Sequence, residues 1–293
     1  MCLGCHVSMS APDFYFGTVK EALSYGADTF MFYTGAPQSS FRKATSELFI
    51  KEGWALLQSK NMDESKIIVH SPYIINIANC VNPELFQFSV DQLITELRRV
   101  KDFGLSILVL HPGSHVGGGV ENGLNQVVKG LNIAFGVDHS DVKIALETMS
   151  GKGSELGTSF EQIAYIIKNV QHSERLGVCL DTCHIFDGGL LIARDFDSLL
   201  EDFDREIGLE RLLCIHVNDS KNVAGSHKDR HENIGYGEIG FEVLSKIVHS
   251  EKLAGIPMIL ETPYVEDRPP YFYEIKMLRE NKFVNNWREQ IVK

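Results

Sequence analysis

Short apolar segments recur along the chain at intervals that suit alternating strands and helices. These segments are rich in Val, Ile, Leu, Phe and Cys, and each has the length of a buried strand. Eight strands are predicted, over Leu3–Ser8, Asp28–Thr34, Ile67–Tyr73, Ser106–His111, Lys143–Thr148, Gly177–Thr182, Leu212–Asn218 and Met258–Thr262. The stretches between them have helical periodicity, which indicates repeated β–α units.

Two of the intervening helices have clear sequence signals at their ends. One is predicted to begin after Asn82, with Pro83 at its first position, and to stop at Gly104. The apolar residues between these points lie on one stripe of the helix. A second helix follows a capping box formed by Ser159 and Gln162.

Eight strands alternating with helices favour an α/β fold, a single (β/α)8 TIM barrel with its active site at the C-terminal ends of the strands. An open, doubly wound parallel sheet is the alternative. No low-complexity tract or Pro/Ser-rich linker divides the sequence, so residues 1–293 are predicted to form one domain. The segment from Pro269 to Lys293 has a helical pattern and is assigned to the last barrel helix and the closing segment.

Composition and charge narrow the class of protein. The 293 residues are 44% hydrophobic and 23% charged, with a net charge of −11 and a mean hydropathy of −0.07. This balance is typical of a globular protein with a large core, and it argues against a basic, polyanion-binding surface. The N-terminal segment lacks the features of a secretory signal, so we expect a cytoplasmic protein, with no membrane partner, whose six cysteines are free thiols.

Ionisable side chains mark the ends of the predicted strands. His70, His111, Glu147, Asp181, His216 and Glu261 lie at or near strand ends, and His184, Asp229 and His231 lie in the loops after strands six and seven. Any one of them is readily explained as a hydrogen-bonded polar residue. Gathered at one barrel mouth, however, four carboxylates and five imidazoles would repel one another and lose hydration unless they were compensated.

Metal binding supplies that compensation. Mixed imidazole and carboxylate ligands suit zinc, manganese or iron better than calcium or magnesium. Nine ligands, one of them a bridging carboxylate, fit three ions with positions left for water and substrate. Closely spaced metals activate water and hold both oxygens of an in-line phosphoryl displacement, so phosphodiester hydrolysis is the predicted chemistry.

Seven longer motifs surround these residues. They are FMFYTGAPQSSFRK (Phe30–Lys43), VHSPYIINIAN (Val69–Asn79), HPGSH (His111–His115), GVCLDTCHIF (Gly177–Phe186), HVNDSK (His216–Lys221), GSHKDRHENIGYGEIG (Gly225–Gly240) and PMILETP (Pro257–Pro263). In their order and spacing they resemble the motifs of the endonuclease IV family, the zinc-dependent apurinic/apyrimidinic endonucleases built on a barrel. The resemblance runs from about His6 to beyond Glu261.

The resemblance implies three zinc ions, one of which could be replaced by manganese or iron. Glu147 would bridge the first two ions; His70 and His111 would complete the first site, Asp181, His216 and Glu261 the second, and His184, Asp229 and His231 would form the third. A hydroxide bridging the first two ions would be the nucleophile, and Glu147 and Glu261 are the carboxylates expected to be catalytic. The implied monomeric enzyme cleaves duplex DNA 5′ to an abasic site, leaving a 3′-hydroxyl and a 5′-deoxyribose phosphate, and removes blocking groups from 3′ ends.

The resemblance also implies DNA contacts outside the metal cluster. Gln38, Tyr73 and Ile74 lie on loops from which this family inserts side chains into the base stack, and Ser114, Lys152 and Arg230 are candidate phosphate contacts. Ordinary packing at the barrel rim is the alternative for Tyr73 and Ile74. The other residues could equally be plain loop positions.

One short run departs from the family pattern. After the DTCHIF motif the family usually continues with an Ala-Gly-Tyr-Asp-like run, where this chain has Asp187-Gly188-Gly189-Leu190. This change keeps every presumed ligand but is expected to alter local DNA contacts or loop rigidity.

Two other functions are compatible with a polar barrel mouth. A divalent-metal sugar isomerase or epimerase of the same barrel type would use fewer metals and hold a small polyol, which leaves the motif Asp229–Gly240 unexplained. A non-catalytic lesion-binding protein would not need the complete set of ligands.

Overall fold

The computed structural model describes residues 1–190 and 195–292, and within them the strands form a closed barrel. Its eight parallel strands are β1 (Cys2–His6), β2 (Thr29–Tyr33), β3 (Ile68–His70), β4 (Ile107–Leu110), β5 (Lys143–Glu147), β6 (Leu176–Asp181), β7 (Leu212–His216) and β10 (Pro257–Leu260). Their order around the barrel is β1-β10-β7-β6-β5-β4-β3-β2. The predicted TIM barrel is therefore confirmed, and the open-sheet alternative is wrong.

Helices alternate with the strands along the chain, and the last two helices follow the last strand. They are α1 (Phe14–Ser24), α2 (Ile50–Ser59), α3 (Pro83–Asp102), α4 (Val120–Val137), α5 (Phe160–Asn169), α6 (Thr182–Asp187), α7 (Phe196–Glu206), α8 (Phe241–Val248), α9 (Tyr271–Glu280) and α10 (Trp287–Val292). The predicted last barrel helix is α9, and α10 lies in the predicted closing segment. A short antiparallel ribbon, β8 (Asp219–Ser220) and β9 (His231–Glu232), follows β7.

The predicted caps illustrate how local sequence starts these helices. The side chain of Asn82 accepts hydrogen bonds from the backbone N–H groups of Glu84 and Leu85, so α3 begins as expected. Ser159 likewise accepts from the N–H of Gln162. The Gln162 side chain differs from a reciprocal capping box, because it accepts from the N–H groups of Gly157 and Thr158 in the preceding loop.

The barrel has two apolar layers, and a smaller apolar cluster around Trp287 joins α9 and α10. The larger layer lies between the barrel strands and the surrounding helices, as the helical stripes predict. The smaller layer fills the barrel interior and consists of Met31, Ile68, Ile107, Val109, Ala145, Cys179, Cys214 and Ile259. Because this inner layer packs the barrel, the polar strand ends lie on a closed floor rather than over a pore.

Two further expectations concern the cysteines and the helices. All six cysteines are free. Among the described residues, no helix has both the length and the apolar character needed to cross a membrane.

Candidate metal centre and active site

Strand register brings the predicted ligands to one end of the barrel. His70, Glu147, Asp181 and His216 are the last residues of their strands, and His111 and Glu261 directly follow β4 and β10. In the pairing of β6 with β7, Asp181 lies opposite His216. Since parallel strands all end at the same face, the six side chains meet at the C-terminal mouth.

The first group of donors surrounds one oxygen of Glu147. Nε2 of His70 lies 3.2 Å from Glu147 Oε2, and Nε2 of His111 lies 3.1 Å from the same oxygen. The other ring nitrogen of His70, Nδ1, is 2.7 Å from the carbonyl oxygen of Ser71. That backbone contact favours the tautomer in which Nε2 faces the carboxylate without a proton.

The second group uses the other oxygen of Glu147. His216 Nδ1 lies 3.1 Å from Glu147 Oε1, 3.0 Å from Glu261 Oε2 and 3.7 Å from Asp181 Oδ2. Asn218, which the sequence analysis did not identify, orients two of these carboxylates. Its Nδ2 donates to Asp181 at 2.8 Å and reaches Glu261 at 3.4 Å.

The third group lies on α6 and on the loop after β7. His184 Nε2 is 3.0 Å from Asp229 Oδ1, and His231 Nε2 is 3.6 Å from the same oxygen. His184 Nδ1 contacts the carbonyl oxygen of Thr148 at 2.8 Å, and His231 Nδ1 contacts that of Glu261 at 3.2 Å. As at His70, a backbone carbonyl orients each ring so that Nε2 faces the carboxylate.

Opposite charges set the protonation of this buried cluster. Burial opposes ionisation of Glu147, but His216 and His111 outweigh it and hold the pKa of Glu147 well below its usual value. Burial likewise opposes protonation of His184, whose pKa is nevertheless raised well above its usual value by Asp181 and Asp229. The site thus favours extra positive charge between its donors, which a proton or a divalent cation can supply.

The donor set fits divalent metal ions. In each of the three groups described above, the candidate ligand atoms lie within 4.8 Å of one another, a separation compatible with a shared ion about 2 Å from each donor. Nε2 of His231 is buried and has no hydrogen-bond partner among the described residues. This nitrogen lies 3.8 Å from Asp181 and 3.6 Å from Asp229, and a metal ion between them would satisfy it.

Two thiols also lie near these groups and were given no role from the sequence. Cys179 lies within reach of Glu147 and His216, and Cys183 within reach of Asp181 and His231. Cys179 stands two residues before Asp181 on β6, so strand alternation could have placed it on the same face. Burial raises the pKa of both thiols well above the usual value, which keeps them neutral and poor as ligands.

A cavity of about 820 Å³ opens above the donors. Of the predicted DNA-contacting residues, Gln38, Tyr73, Lys152 and Arg230 line this cavity together with most of the presumed ligands. Tyr73 is 56% exposed, and its ring centroid lies 5.8 Å from that of His111.

The remaining sequence candidates lie around this cavity. Ser114 lines a smaller adjoining pocket that Tyr73 and His111 share. Ile74 is half-buried beside Tyr73 and is not among the residues lining either space. His6 lines the main cavity, and burial lowers its pKa to about 4, which keeps the ring neutral.

Comparisons with known proteins agree with this architecture. Residues 19–281 match the family described as xylose isomerase-like TIM barrel, to which the chain belongs. Within that class the chain belongs to the endonuclease IV family: it is 52% identical to the probable endonuclease 4 of Bacillus subtilis strain 168, over 99% of this chain and 98% of the relative.

Two solved structures place the fold in context. Endonuclease IV from Thermus thermophilus superposes with a TM-score of 0.81 at 29% identity, over 96% of this chain and 98% of that chain. A D-tagatose 3-epimerase-like protein has a TM-score of 0.66 at 19% identity, over 96% of each chain. The second likeness shows the shared fold alone.

Proposed function

We propose that this protein is a zinc-dependent endonuclease that hydrolyses the DNA backbone on the 5′ side of abasic sites. The products are a 3′-hydroxyl and a 5′-deoxyribose phosphate, and the same site removes blocking groups from 3′ ends. The observation that carries the proposal is the convergence of three ligand groups around Glu147 beneath a wide, polar cavity, in a chain of the endonuclease IV family.

The ligand groups suggest how three ions would be held. Glu147 would be a ligand of two of them, because one of its oxygens lies toward His70 and His111 and the other toward His216. Asp181, His216 and Glu261 would complete the second site, while His184, Asp229 and His231 would form the third. Zinc suits this set of imidazoles and carboxylates, and manganese or iron is compatible with it at one site. When bound, such ions acidify water to a nucleophile at neutral pH and neutralise charge on the phosphate and the leaving oxygen.

The protein's own residues hold the donors in place for that chemistry. Backbone carbonyls of Ser71, Thr148 and Glu261 each take one ring nitrogen of a histidine, which leaves Nε2 directed into the site. Asn218 fixes the neighbouring carboxylates of Asp181 and Glu261. Such outer contacts set ring orientation and ligand basicity, so we expect the site to be rigid before DNA binds.

The cavity rim supplies the contacts to DNA. Lys152 and Arg230 bring positive charge to the mouth of a protein whose net charge is −11, where they would meet backbone phosphates; Ser114 is proposed as a further phosphate contact. Gln38, Tyr73 and Ile74 would occupy the stack from which the abasic nucleotide is extruded. Extrusion costs least where a base is already missing, which accounts for the choice of substrate.

The alternatives make different demands on this site. A sugar isomerase or epimerase is expected to use fewer metals, and it gives no role to the third ligand group on α6 and the loop after β7. A lesion-binding protein without activity is expected to need no ligand set. We also propose that residues 1–293 form one domain and that the protein is monomeric and cytoplasmic.

One cleavage assay tests reaction, substrate and metal affinity together. A duplex oligonucleotide with one stable abasic analogue, labelled in turn at each end, is incubated with the protein in EDTA-containing buffer. We expect a single cut immediately 5′ to the lesion, with a 3′-hydroxyl, and an intact control duplex of the same sequence without the lesion. A cut on the 3′ side would contradict the proposal, as would binding without cleavage after zinc reconstitution. Epimerisation of a free ketose would revive the sugar-enzyme alternative.

A matched pair of variants separates DNA binding from chemistry. Lys152→Ala is expected to weaken binding and to reduce the salt dependence of binding by about one phosphate contact. Lys168→Ala, on the outer helix α5, removes the same charge away from the cavity and should leave both unchanged. Equal effects of the two substitutions would argue against a phosphate contact at Lys152.

A further inference from the structure

Helix α6 carries two buried polar side chains, His184 and Asp187, that both contact Asp229 on the loop after β7. His184 contributes Nε2 to the third ligand group, 3.0 Å from Asp229. Asp187, one turn later at the end of the helix, is fully buried and has no place in any of the three groups. It is also the first residue of the run in which this chain departs from the endonuclease IV pattern.

The contacts of Asp187 lead to the loop that supplies Asp229. Asp187 Oδ2 accepts a hydrogen bond from the backbone N–H of Asp229 at 2.9 Å and another from Asn222 Nδ2 at 3.2 Å. Oδ1 accepts from the hydroxyl of Ser220 at 2.6 Å. The main-chain carbonyl of Asp187 accepts from the N–H of His227 at 3.0 Å. Asp187 therefore accepts hydrogen bonds from four residues that follow β7, namely Ser220, Asn222, His227 and Asp229.

That loop needs an external support. Asp229 has a φ of +54° and His227 a φ of +53°, both in the left-handed region that costs energy for residues other than glycine. Asp187 accepts hydrogen bonds from the backbone N–H groups of both residues. They therefore stabilise the unfavourable backbone at the position where the Asp229 side chain is aimed at His184.

We propose that Asp187 is a positioning residue for the third metal site, which it serves by fixing the backbone of Asp229 relative to His184. The inference rests on the proposed function, because it assumes that His184, Asp229 and His231 hold an ion. A short helix thus provides one ligand directly and holds a second ligand through its backbone. Removing the Asp187 carboxylate frees Asp229 to turn away and lowers the affinity of this ion selectively.

Two substitutions distinguish position from charge. Asp187→Asn keeps an oxygen toward the Asp229 and Asn222 donors, and its amide can donate to the Ser220 hydroxyl, so the geometry is retained without the charge. Asp187→Ala removes both. The readout is zinc per chain, measured by elemental analysis after dialysis of the purified, zinc-loaded proteins against EDTA. We expect the Ala variant to lose one ion relative to the parent protein and the Asn variant to retain the parent content.

Asp138 provides the matched control. It is buried like Asp187 and accepts hydrogen bonds from Ser140 and Arg175, but it follows α4 at the opposite, N-terminal end of the barrel. Asp138→Ala is expected to lower thermal stability and to leave the zinc content unchanged. An Ala variant of Asp187 that retains all its zinc would overturn the inference, and so would an Asn variant that loses as much zinc as the Ala variant.

A further substitution keeps the test decisive if Asp187→Ala does not fold. Asp187→Glu retains the charge but displaces the carboxylate by one methylene, and we expect it to lose the same ion as the Ala variant would. Full retention of zinc by the Glu variant would contradict the inference. The parent protein separates this outcome from failure of the proposed function: parent protein that holds fewer than three ions, or does not cut abasic DNA, refutes the function itself.

Discussion

The candidate metal ligands at the strand ends and those on the loop after β7 are held by different means. Glu147, Asp181 and His216 end barrel strands, so the hydrogen-bonded register of the sheet places their side chains. Within the described residues, the strand pairing next to Asp229 and His231 is the two-residue ribbon of β8 and β9. Their positions depend instead on side chains that accept hydrogen bonds from the loop backbone.

Three buried acidic side chains provide that support. Asp187 holds the N–H of Asp229. Asp219 accepts hydrogen bonds from the N–H groups of Gly235, Gly237, Ile239 and Gly240. Glu274, on α9, accepts from the N–H of Ile234 at 2.9 Å. Buried acceptors thus replace a β-ladder in fixing an irregular loop, which satisfies N–H groups that would otherwise be costly to bury.

Solvent access separates only part of the two sets. The His216 and Asp181 side chains are 0% exposed and those of His231 and Asp229 are 20% and 29% exposed, but the side chain of His111, at the end of β4, is 26% exposed. The means of support is the clearer difference, because a site supported by a loop is easier to open than one held by a sheet. We therefore expect the third ion to exchange more readily than the first two.

The largest effect is expected from Glu147→Gln, which removes the carboxylate shared by the two strand-end groups. Turnover on abasic duplex should fall at least about 1,000-fold, or ~4 kcal/mol of transition-state stabilisation, because both of the ions that Glu147 is proposed to hold would lose a charged ligand. Single-turnover cleavage and zinc analysis measure this loss. Activity within about tenfold of the parent protein would contradict the proposed role of Glu147 as a ligand shared by two metal ions.

Asp219→Asn should weaken the loop rather than the strand ends. An amide nitrogen would face backbone N–H groups that now donate to a carboxylate, at a cost of ~1–3 kcal/mol for each donor left unpaired. We expect a lower melting temperature and loss of one zinc ion per chain, with the other ions retained. Asp138→Asn is the control, because it changes a buried acceptor away from the site and should leave the zinc content unchanged. Loss of all zinc from the Asp219 variant would show that the loop and the strand ends do not hold their ions separately.

Removal of metal by a chelator compares the regions directly. On dilution of the zinc-loaded protein into an excess of a chromogenic zinc chelator in partly denaturing urea, zinc release should occur in two phases, with one ion leaving at least about tenfold faster than the rest, because the loop opens more easily than the sheet. The absorbance of the zinc–chelator complex follows the release. A single phase for all ions would show that the regions act as one unit.

The smallest effect is a pH dependence at Glu274. Burial raises the pKa of Glu274 to about 7, so its protonated form stabilises the folded state; that contribution is complete below the unfolded pKa and is lost as the pH rises through about 7. Between pH 6 and pH 8 the unfolding free energy should fall by ~1 kcal/mol more in the parent protein than in Glu274→Gln. Urea titrations at the two pH values measure the difference. An equal change in unfolding free energy in the two proteins would show that Glu274 does not titrate near pH 7.

Much of the fold was predictable because its signals are local. Each predicted barrel strand is present, since its apolar run has to be buried on both faces in a parallel barrel. Asn82 starts α3 for a reason contained within four residues. The ends of strands were less predictable: β3 stops at His70 rather than Tyr73, because the ladder ends where the chain turns into the loop that carries Tyr73.

The sequence by itself determined the barrel and the kinds of side chain that meet at its mouth, because strand periodicity and residue chemistry are properties of short segments. Only the tertiary structure decided which ring nitrogen of each histidine faces the site, that Asn218 joins two carboxylates, and that Asp187, Asp219 and Glu274 support the loop after β7. These contacts join residues far apart in the chain, and no local pattern records which buried acceptor will meet which backbone donor.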